Sequence, residues 1–148
     1  MRGTHRTVVA DGVRLRVLEA GEGPPLLLLP GLSASHDIWE HVIDAFAGTH
    51  RVVAPDLPGH GESAKPDAPY TIDFYAGIVR TLGRELGITH AVVVGSSLGG
   101  KIALELACWY PSFVRALVLS APAGEYARGL RPFGKAIQMT PDFGGWYV

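Results

Sequence analysis

Residues 91–99 read Ala-Val-Val-Val-Gly-Ser-Ser-Leu-Gly, and this stretch decides the fold. The four apolar residues at 91–94 predict a buried strand, because β-branched side chains fit a packed sheet. A helix is predicted over 98–109, where apolar residues recur at helical spacing. The Gly-x-Ser-x-Gly pattern between strand and helix is typical of a sharp turn that projects its serine out of the backbone. Ser97 is therefore a candidate nucleophile.

The glycines on either side of this serine follow from steric constraints. Side chains at Gly95 and Gly99 would collide across so tight a turn. A strained backbone also needs residues with the widest range of allowed dihedral angles. The pattern becomes informative only in its strand-turn-helix setting, which the flanking sequence supplies.

Strands and helices alternate along the rest of the chain. Two strands, Thr7–Val9 and Val13–Glu19, are joined by Asp11-Gly12, a strong hairpin signal. Further strands are predicted at 26–29, 51–55 and 114–120, and further helices after Asp37 and after either Thr71 or Asp73. The order predicts an α/β fold with a mostly parallel sheet of about six strands, an N-terminal antiparallel hairpin and helices on both faces. Sites in such sheets lie beyond the carboxyl ends of the strands.

Two more segments leave strands at that same edge. Pro30-Gly31-Leu32 follows the third predicted strand, and residues 56–63 (Asp-Leu-Pro-Gly-His-Gly-Glu-Ser) follow the fourth. With the serine turn they make three motifs in the order and spacing of the α/β-hydrolase superfamily, and the chain resembles its small esterase-like members over nearly its whole length. The resemblance implies that Ser97 is the nucleophile. It also implies that the backbone N–H groups of Leu32 and Leu98 form the oxyanion hole.

The resemblance further implies a serine hydrolase acting on carboxylic esters or related small acyl substrates. The sharp turn that carries the serine is called the nucleophile elbow. In that superfamily the catalytic acid and histidine come after the elbow, whereas all six histidines of this chain precede Ser97. The expectation is a truncated fold, with residues 1–122 a partial core and 123–148 the start of a cap. The alternative is a catalytically inactive fragment or a hydrolase-like module that binds ligands or partners.

Details of the motifs narrow the chemistry. The family's usual His-Gly is Pro30-Gly31 here. The hydrogen bonds by which that histidine braces the loop are therefore absent, while the backbone donor of the oxyanion hole is retained. An aspartate at the elbow would favour dehalogenase or epoxide chemistry, and Ser97 favours acyl transfer instead. Ser96 is compatible with both ester and C–C bond hydrolysis.

An upstream histidine could replace the missing base. His60 is the best placed, because its loop leaves the correct edge of the sheet, and it is the candidate substitute base. The competing interpretation is a loop histidine that is exposed or bonded locally. His36, just past the Pro30-Gly31-Leu32 loop, is a further candidate for lining the pocket.

Composition bounds the remaining possibilities. The 148 residues are 47% apolar and 18% charged, as in a globular chain, and a formal net charge of −1 argues against nucleic-acid or anionic-membrane partners. No leader is apparent in residues 1–7, and the apolar run 26–29 is too short to span a bilayer, so a cytoplasmic location is expected. Cys108 is expected to be a small buried residue, and no metal or cofactor is expected. An open edge at the last predicted strand suggests self-association.

Overall fold

The computed structural model describes residues 3–123 and the strand backbone at 138–139 and 146–147. The strands are β1 (Thr4–Ala10), β2 (Val13–Ala20), β3 (Pro25–Leu29), β4 (Arg51–Pro55), β5 (Ala91–Ser96), β6 (Val114–Ser120), β7 (Gln138–Met139) and β8 (Trp146–Tyr147). A 3₁₀ helix spans His36–Trp39, and the α-helices are α1 (Glu40–Phe46), α2 (Ile72–Glu85) and α3 (Leu98–Trp109). The predicted cap segment at 123–148 lies outside the described residues, apart from residue 123 and the antiparallel β7–β8 pair.

The predicted N-terminal hairpin is confirmed. Ala10 pairs with Val13, so Asp11 and Gly12 alone form the turn between β1 and β2. Both turn residues have positive φ, 47° and 77°, the combination that a two-residue turn needs to match the twist of its strands.

Six strands form one sheet in the order β1-β2-β4-β3-β5-β6. β3 pairs in parallel with β4 and β5, and β5 pairs in parallel with β6, while β1–β2 and β2–β4 are antiparallel. The predicted sheet is therefore confirmed. β3 lies between two strands that follow it in sequence, and residues 26–29 are at most 5% exposed, which explains their continuous apolar run.

Helices cover both faces of this sheet, as predicted. One face packs against α2 and α3, and the other packs against the 3₁₀ helix and α1. The alternating side chains of β3 divide between the two cores, with Leu27 and Leu29 in the first and Leu26 and Leu28 in the second. A parallel strand buried on both faces anchors the loop that leaves its carboxyl end.

The start of the first helical segment differs from the prediction. Ser35, and not Asp37, is the N-cap, and its side chain accepts a hydrogen bond from the Asp37 amide. A 3₁₀ turn precedes α1. Because a 3₁₀ helix has fewer residues per turn than an α-helix, different side chains of this segment face the sheet than an ideal α-helix would place there. Trp39 is buried as a result, whereas Ile38 is 51% exposed. For α2 the two alternatives resolve in favour of Thr71, whose side chain accepts from the Phe74 amide.

A buried carboxylate ties together the loops that follow β3 and β4. Asp56 is 1% exposed. Its Oδ1 accepts from both the backbone N–H and the Nδ1–H of His36, at 2.9 and 2.8 Å, and its Oδ2 accepts from the Glu62 amide at 2.8 Å. Gly61 has φ 49°, and a β-carbon there would overlap the carboxylate. The loop therefore closes around Asp56 and holds it against His36.

Replacing Asp56 should destabilise the whole domain. Asp56→Ala leaves three N–H donors without this acceptor, and the two on His36 are buried. We expect the free energy of unfolding to fall by at least about 3 kcal/mol. Urea unfolding followed by circular dichroism measures it. The matched control is Asp67→Ala, at an exposed position in the same loop, with an expected change within about 0.5 kcal/mol. Equal effects of the two substitutions would contradict this account.

Candidate active site

Three loops meet at the carboxyl edge of the parallel strands. They follow β3 at Pro30, β4 at Asp56 and β5 at Ser97, and β3 is hydrogen-bonded to both other strands. The sequence segments that were expected to leave the same edge therefore do so. The chemistry available here depends on the backbone geometry of each loop.

Ser97 lies in a strained turn between β5 and α3. Its φ and ψ are 49° and −113°, a conformation that non-glycine residues rarely adopt. Its amide donates to the Ser120 carbonyl at 3.0 Å, and its carbonyl accepts from the amides of Lys101 and Ala123. The end of β6 and the first turn of α3 thus hold the strained residue, and Ser97 stays half-buried and accessible.

The predicted collision across the turn is confirmed for Gly95, whereas Gly99 is constrained by the end of β3. A β-carbon at Gly95 would overlap the Gly99 carbonyl, and one at Gly99 would overlap the carbonyls of Leu29 and Pro30. A β-carbon at Gly31 would lie 3.4 Å from Ser97 Cβ and 4.0 Å from its Oγ. The loop after β3 therefore passes directly beside the serine side chain.

Two helical glycines give a matched test of this packing. Gly99→Ala introduces a methyl group against backbone that cannot move without disrupting β3, and we expect a loss of about 2–3 kcal/mol in the free energy of unfolding. Gly77→Ala, in the interior of α2, meets nothing within 4 Å and should stabilise the protein by about 0.5–1 kcal/mol through helix propensity. Denaturant unfolding of both variants measures the difference. An unchanged free energy of unfolding in Gly99→Ala would show that Gly99 does not pack tightly against the end of β3 in solution.

Of the two amides expected to form an oxyanion hole, that of Leu98 follows Ser97 in sequence and that of Leu32 follows Gly31, which packs beside the serine side chain. Leu98 is the first residue of α3, so its N–H is among the first four helical donors that lack an intrahelical acceptor. Leu32 follows Gly31, and its N–H has no acceptor among residues 3–123. Ser33 completes the loop with φ 59°. Free backbone donors near a serine can stabilise charge that develops on a carbonyl oxygen.

His60 lies in the loop after β4, as expected, and is only 9% exposed. Its Nδ1–H donates to the Pro58 carbonyl at 2.9 Å. His60 therefore makes the local hydrogen bond that the competing interpretation expects. Its role as a substitute base stays a prediction. The residue lines an open cavity of about 620 Å³ with Leu32, Tyr70 and Tyr75. This cavity was not foreseen from the sequence, since its walls come from three separate segments.

His36 has a structural partner that the sequence did not reveal. It is 5% exposed, with Nδ1 bound to Asp56, and its Nε2 lies 2.9 Å from Nε2 of His5 on β1. Because Nδ1 carries a proton for the carboxylate, His5 is the donor when His36 is neutral. The pairing of Asp56 with a histidine six residues past Pro30 joins the two loops.

Other candidates for reactivity can be placed among the described residues. Cys108 is half-buried on α3, and burial, reinforced by the nearby Glu105 carboxylate, raises the pKa of its thiol. The thiol is therefore protonated and a poor nucleophile at neutral pH. Within the described residues, no group of three or more metal-ligating side chains converges. No helix there is long and apolar enough to cross a membrane.

The sheet order, the strained serine and the adjoining loop define an α/β-hydrolase core, and comparison with known proteins agrees. A family model described as the alpha/beta hydrolase fold matches residues 24–147. The chain belongs to this family.

Individual relatives support the same assignment. The chain is 38% identical over 134 residues to 2-hydroxy-6-oxo-6-(2'-aminophenyl)hexa-2,4-dienoic acid hydrolase of Metapseudomonas resinovorans, covering 86% of this chain and 46% of that protein. Among solved structures, a bacterial membrane phospholipase A matches with a TM-score of 0.81 and 34% identity, covering 85% of this chain and 42% of that one. Epoxide hydrolase VrEH1 from Vigna radiata matches with a TM-score of 0.77 and 33% identity, covering 80% and 38%. The chain thus spans less than half the length of these relatives.

Proposed function

We propose that this chain carries the nucleophile and oxyanion hole of a serine hydrolase that acts on carboxylic esters or related small acyl compounds. The observation that carries the proposal is the strained backbone of Ser97, at φ 49°, with Gly31 packed beside its side chain. Strain of this kind persists only where surrounding structure maintains it, and it is concentrated at functional sites.

The chemistry follows from the groups in place. Ser97 Oγ adds to the substrate carbonyl carbon, its proton passes to a base, and the carbonyl oxygen becomes an oxyanion. The N–H groups of Leu32 and Leu98 donate to that oxygen without rearranging, which is the main advantage of a preorganised site. The leaving group departs with a proton, and water then releases the acyl group from Ser97.

The mechanism also needs a general base that accepts the proton of Ser97 Oγ. No histidine follows Ser97 in this sequence, and a serine hydroxyl without a base is a weak nucleophile. His60 is the candidate within the chain, on a neighbouring loop of the same sheet edge. The alternative proposal is a module that binds ligands or partners without turnover.

The relatives bear on the bond that is cleaved. One is named as a hydrolase of an oxo-dienoic acid, and others as epoxide hydrolases. A serine rather than an aspartate at position 97 favours a carbonyl substrate over an epoxide. The proposed substrates are therefore small acyl or oxo compounds. A cytoplasmic location and self-association through the outer edge of β6 stay predictions.

Ester hydrolysis tests the nucleophile directly. With p-nitrophenyl acetate, we expect Ser97→Ala to reduce the rate to that of buffer, because no other group replaces Oγ. The matched control is Ser96→Ala, the adjacent serine on β5, which should retain the wild-type rate within about threefold. Equal rates for wild type and Ser97→Ala would contradict the catalytic proposal and favour the binding module.

The same assay tests the base. If His60 accepts the Ser97 proton, His60→Ala should lower the rate by about 10²–10⁴-fold. His90→Ala, at the opposite end of β5, serves as the control and should leave the rate unchanged. An unaffected His60→Ala would assign the general-base role to a group outside the loop after β4.

A further inference from the structure

The cavity beside the loop after β3 has features of a binding site separate from Ser97. It has a volume of about 620 Å³ and lies between residues 59–65 and the N-terminal half of α2. Ser97 is not among its lining residues. Two of the proposed catalytic groups do line it, namely Leu32 of the oxyanion hole and the candidate base His60. Three polar side chains in its wall have unused hydrogen-bonding capacity.

Tyr75 is the first of these. The residue is 4% exposed and lines the cavity, yet its hydroxyl has no hydrogen-bond partner in the described part of the chain. Among the described residues, the fully buried side-chain nitrogen and oxygen atoms without a partner are Arg16 Nε and Trp39 Nε1. The Tyr75 hydroxyl is not one of them, so it is accessible from the cavity. Burial, reinforced by neighbouring Tyr70, raises the pKa of Tyr75, so the hydroxyl keeps its proton at neutral pH. It is available as a hydrogen-bond donor to a molecule in the cavity.

His60 supplies the complementary group. Its Nδ1–H is committed to the Pro58 carbonyl, which leaves Nε2 of the neutral ring as an acceptor. Within residues 3–123 no donor reaches that nitrogen. The rings of His60 and Tyr75 are 6.3 Å apart between centroids, so one small molecule can contact both.

Lys65 makes the cavity favourable for an anion. Among the described residues that line the cavity, Lys65 carries the one permanently charged side chain, and none of them is a carboxylate. Its ammonium group donates to the carbonyls of Gly61 and Ser63, at 3.1 and 3.5 Å. An ammonium group has three N–H donors, so one remains for a ligand.

The remaining wall is aromatic and apolar. The rings of Tyr70 and Tyr75 are 6.0 Å apart between centroids and inclined at 48°. The Leu32 side chain, which is 70% exposed, borders the same space. Such a wall favours a flat unsaturated body, since aromatic faces gain contact area with little loss of conformational entropy.

We propose that this cavity binds a small hydroxylated aromatic carboxylate. The carboxylate accepts from Tyr75 Oη and Lys65 Nζ, the ligand hydroxyl donates to His60 Nε2, and the ring lies against Tyr70 and Leu32. This binding uses no atom of Ser97, but it occupies His60 Nε2, the nitrogen through which a His60 base would act, because Nδ1–H is committed to the Pro58 carbonyl. The proposal therefore shares one residue with the candidate base and otherwise does not depend on ester hydrolysis.

Calorimetric titration of the chain with 3-hydroxybenzoate tests the ligand class. Benzoate, which lacks the hydroxyl donor, and 3-hydroxybenzamide, which lacks the negative charge, should each bind about 3–10-fold more weakly. Absence of binding by 3-hydroxybenzoate would overturn the proposal. Equal affinity for all three compounds would overturn it as well, because it would indicate only apolar contact.

Variants locate the site. Tyr75→Phe removes a single oxygen from a buried ring, and we expect a 3–10-fold weaker affinity, with about tenfold for Lys65→Gln. The controls are Tyr110→Phe and Lys101→Gln, at exposed positions on or beside α3 and outside the cavity, which should bind as the wild type does. Circular dichroism verifies that each variant is folded. Wild-type affinity in folded Tyr75→Phe and Lys65→Gln would overturn the assignment.

The Ser97→Ala variant separates this proposal from the enzymatic one. Its affinity for 3-hydroxybenzoate should equal that of the wild type, whether or not the chain hydrolyses esters. A loss of binding in Ser97→Ala would mean that the ligand occupies the serine site, which would overturn the separate cavity.

Discussion

The close approach of α3 to the end of β3 is the constraint on which the rest of the site depends. Gly99 has no side chain, so its backbone rests on the carbonyls of Leu29 and Pro30. A strand and a helix brought so near leave a single residue, Ser97, to reverse the chain, and that residue takes a positive φ. Packing of both strand faces maintains the strain. The position of the serine is thus set by this backbone packing together with the backbone hydrogen bonds that Ser97 makes to Ser120, Lys101 and Ala123.

A second constraint acts through charge. The Asp56 carboxylate, buried among three N–H donors, joins the loop after β4 to the loop after β3. Buried carboxylates are costly unless their oxygens are bonded, so the two loops can close only in this arrangement. The family resemblance led to the expectation that Pro30 in place of histidine removes a brace. His36 provides a tie between these loops from a different position.

Two surfaces with different chemical groups lie at this edge of the sheet, one around Ser97 and one around Tyr75. Around Ser97 the available groups are backbone donors, suited to a developing oxyanion. Around Tyr75 they are side chains with unused donors and acceptors, suited to recognition of a ligand. Leu32 borders both regions. The chain spans 46% or less of the relatives compared above, so the proposals concern the groups in this part of the fold.

Local patterns determined much of the fold from the sequence alone. Asp11-Gly12 specified the hairpin, the run 26–29 specified a strand buried on both faces, and Gly-x-Ser-x-Gly specified the elbow, because turn dihedrals and burial periodicity are encoded over a few residues. The tertiary structure alone decided the placement of β3 between β4 and β5, the His36–Asp56 pair and the Tyr75 cavity. Each of these depends on residues brought together from distant positions, and no local pattern contains that information.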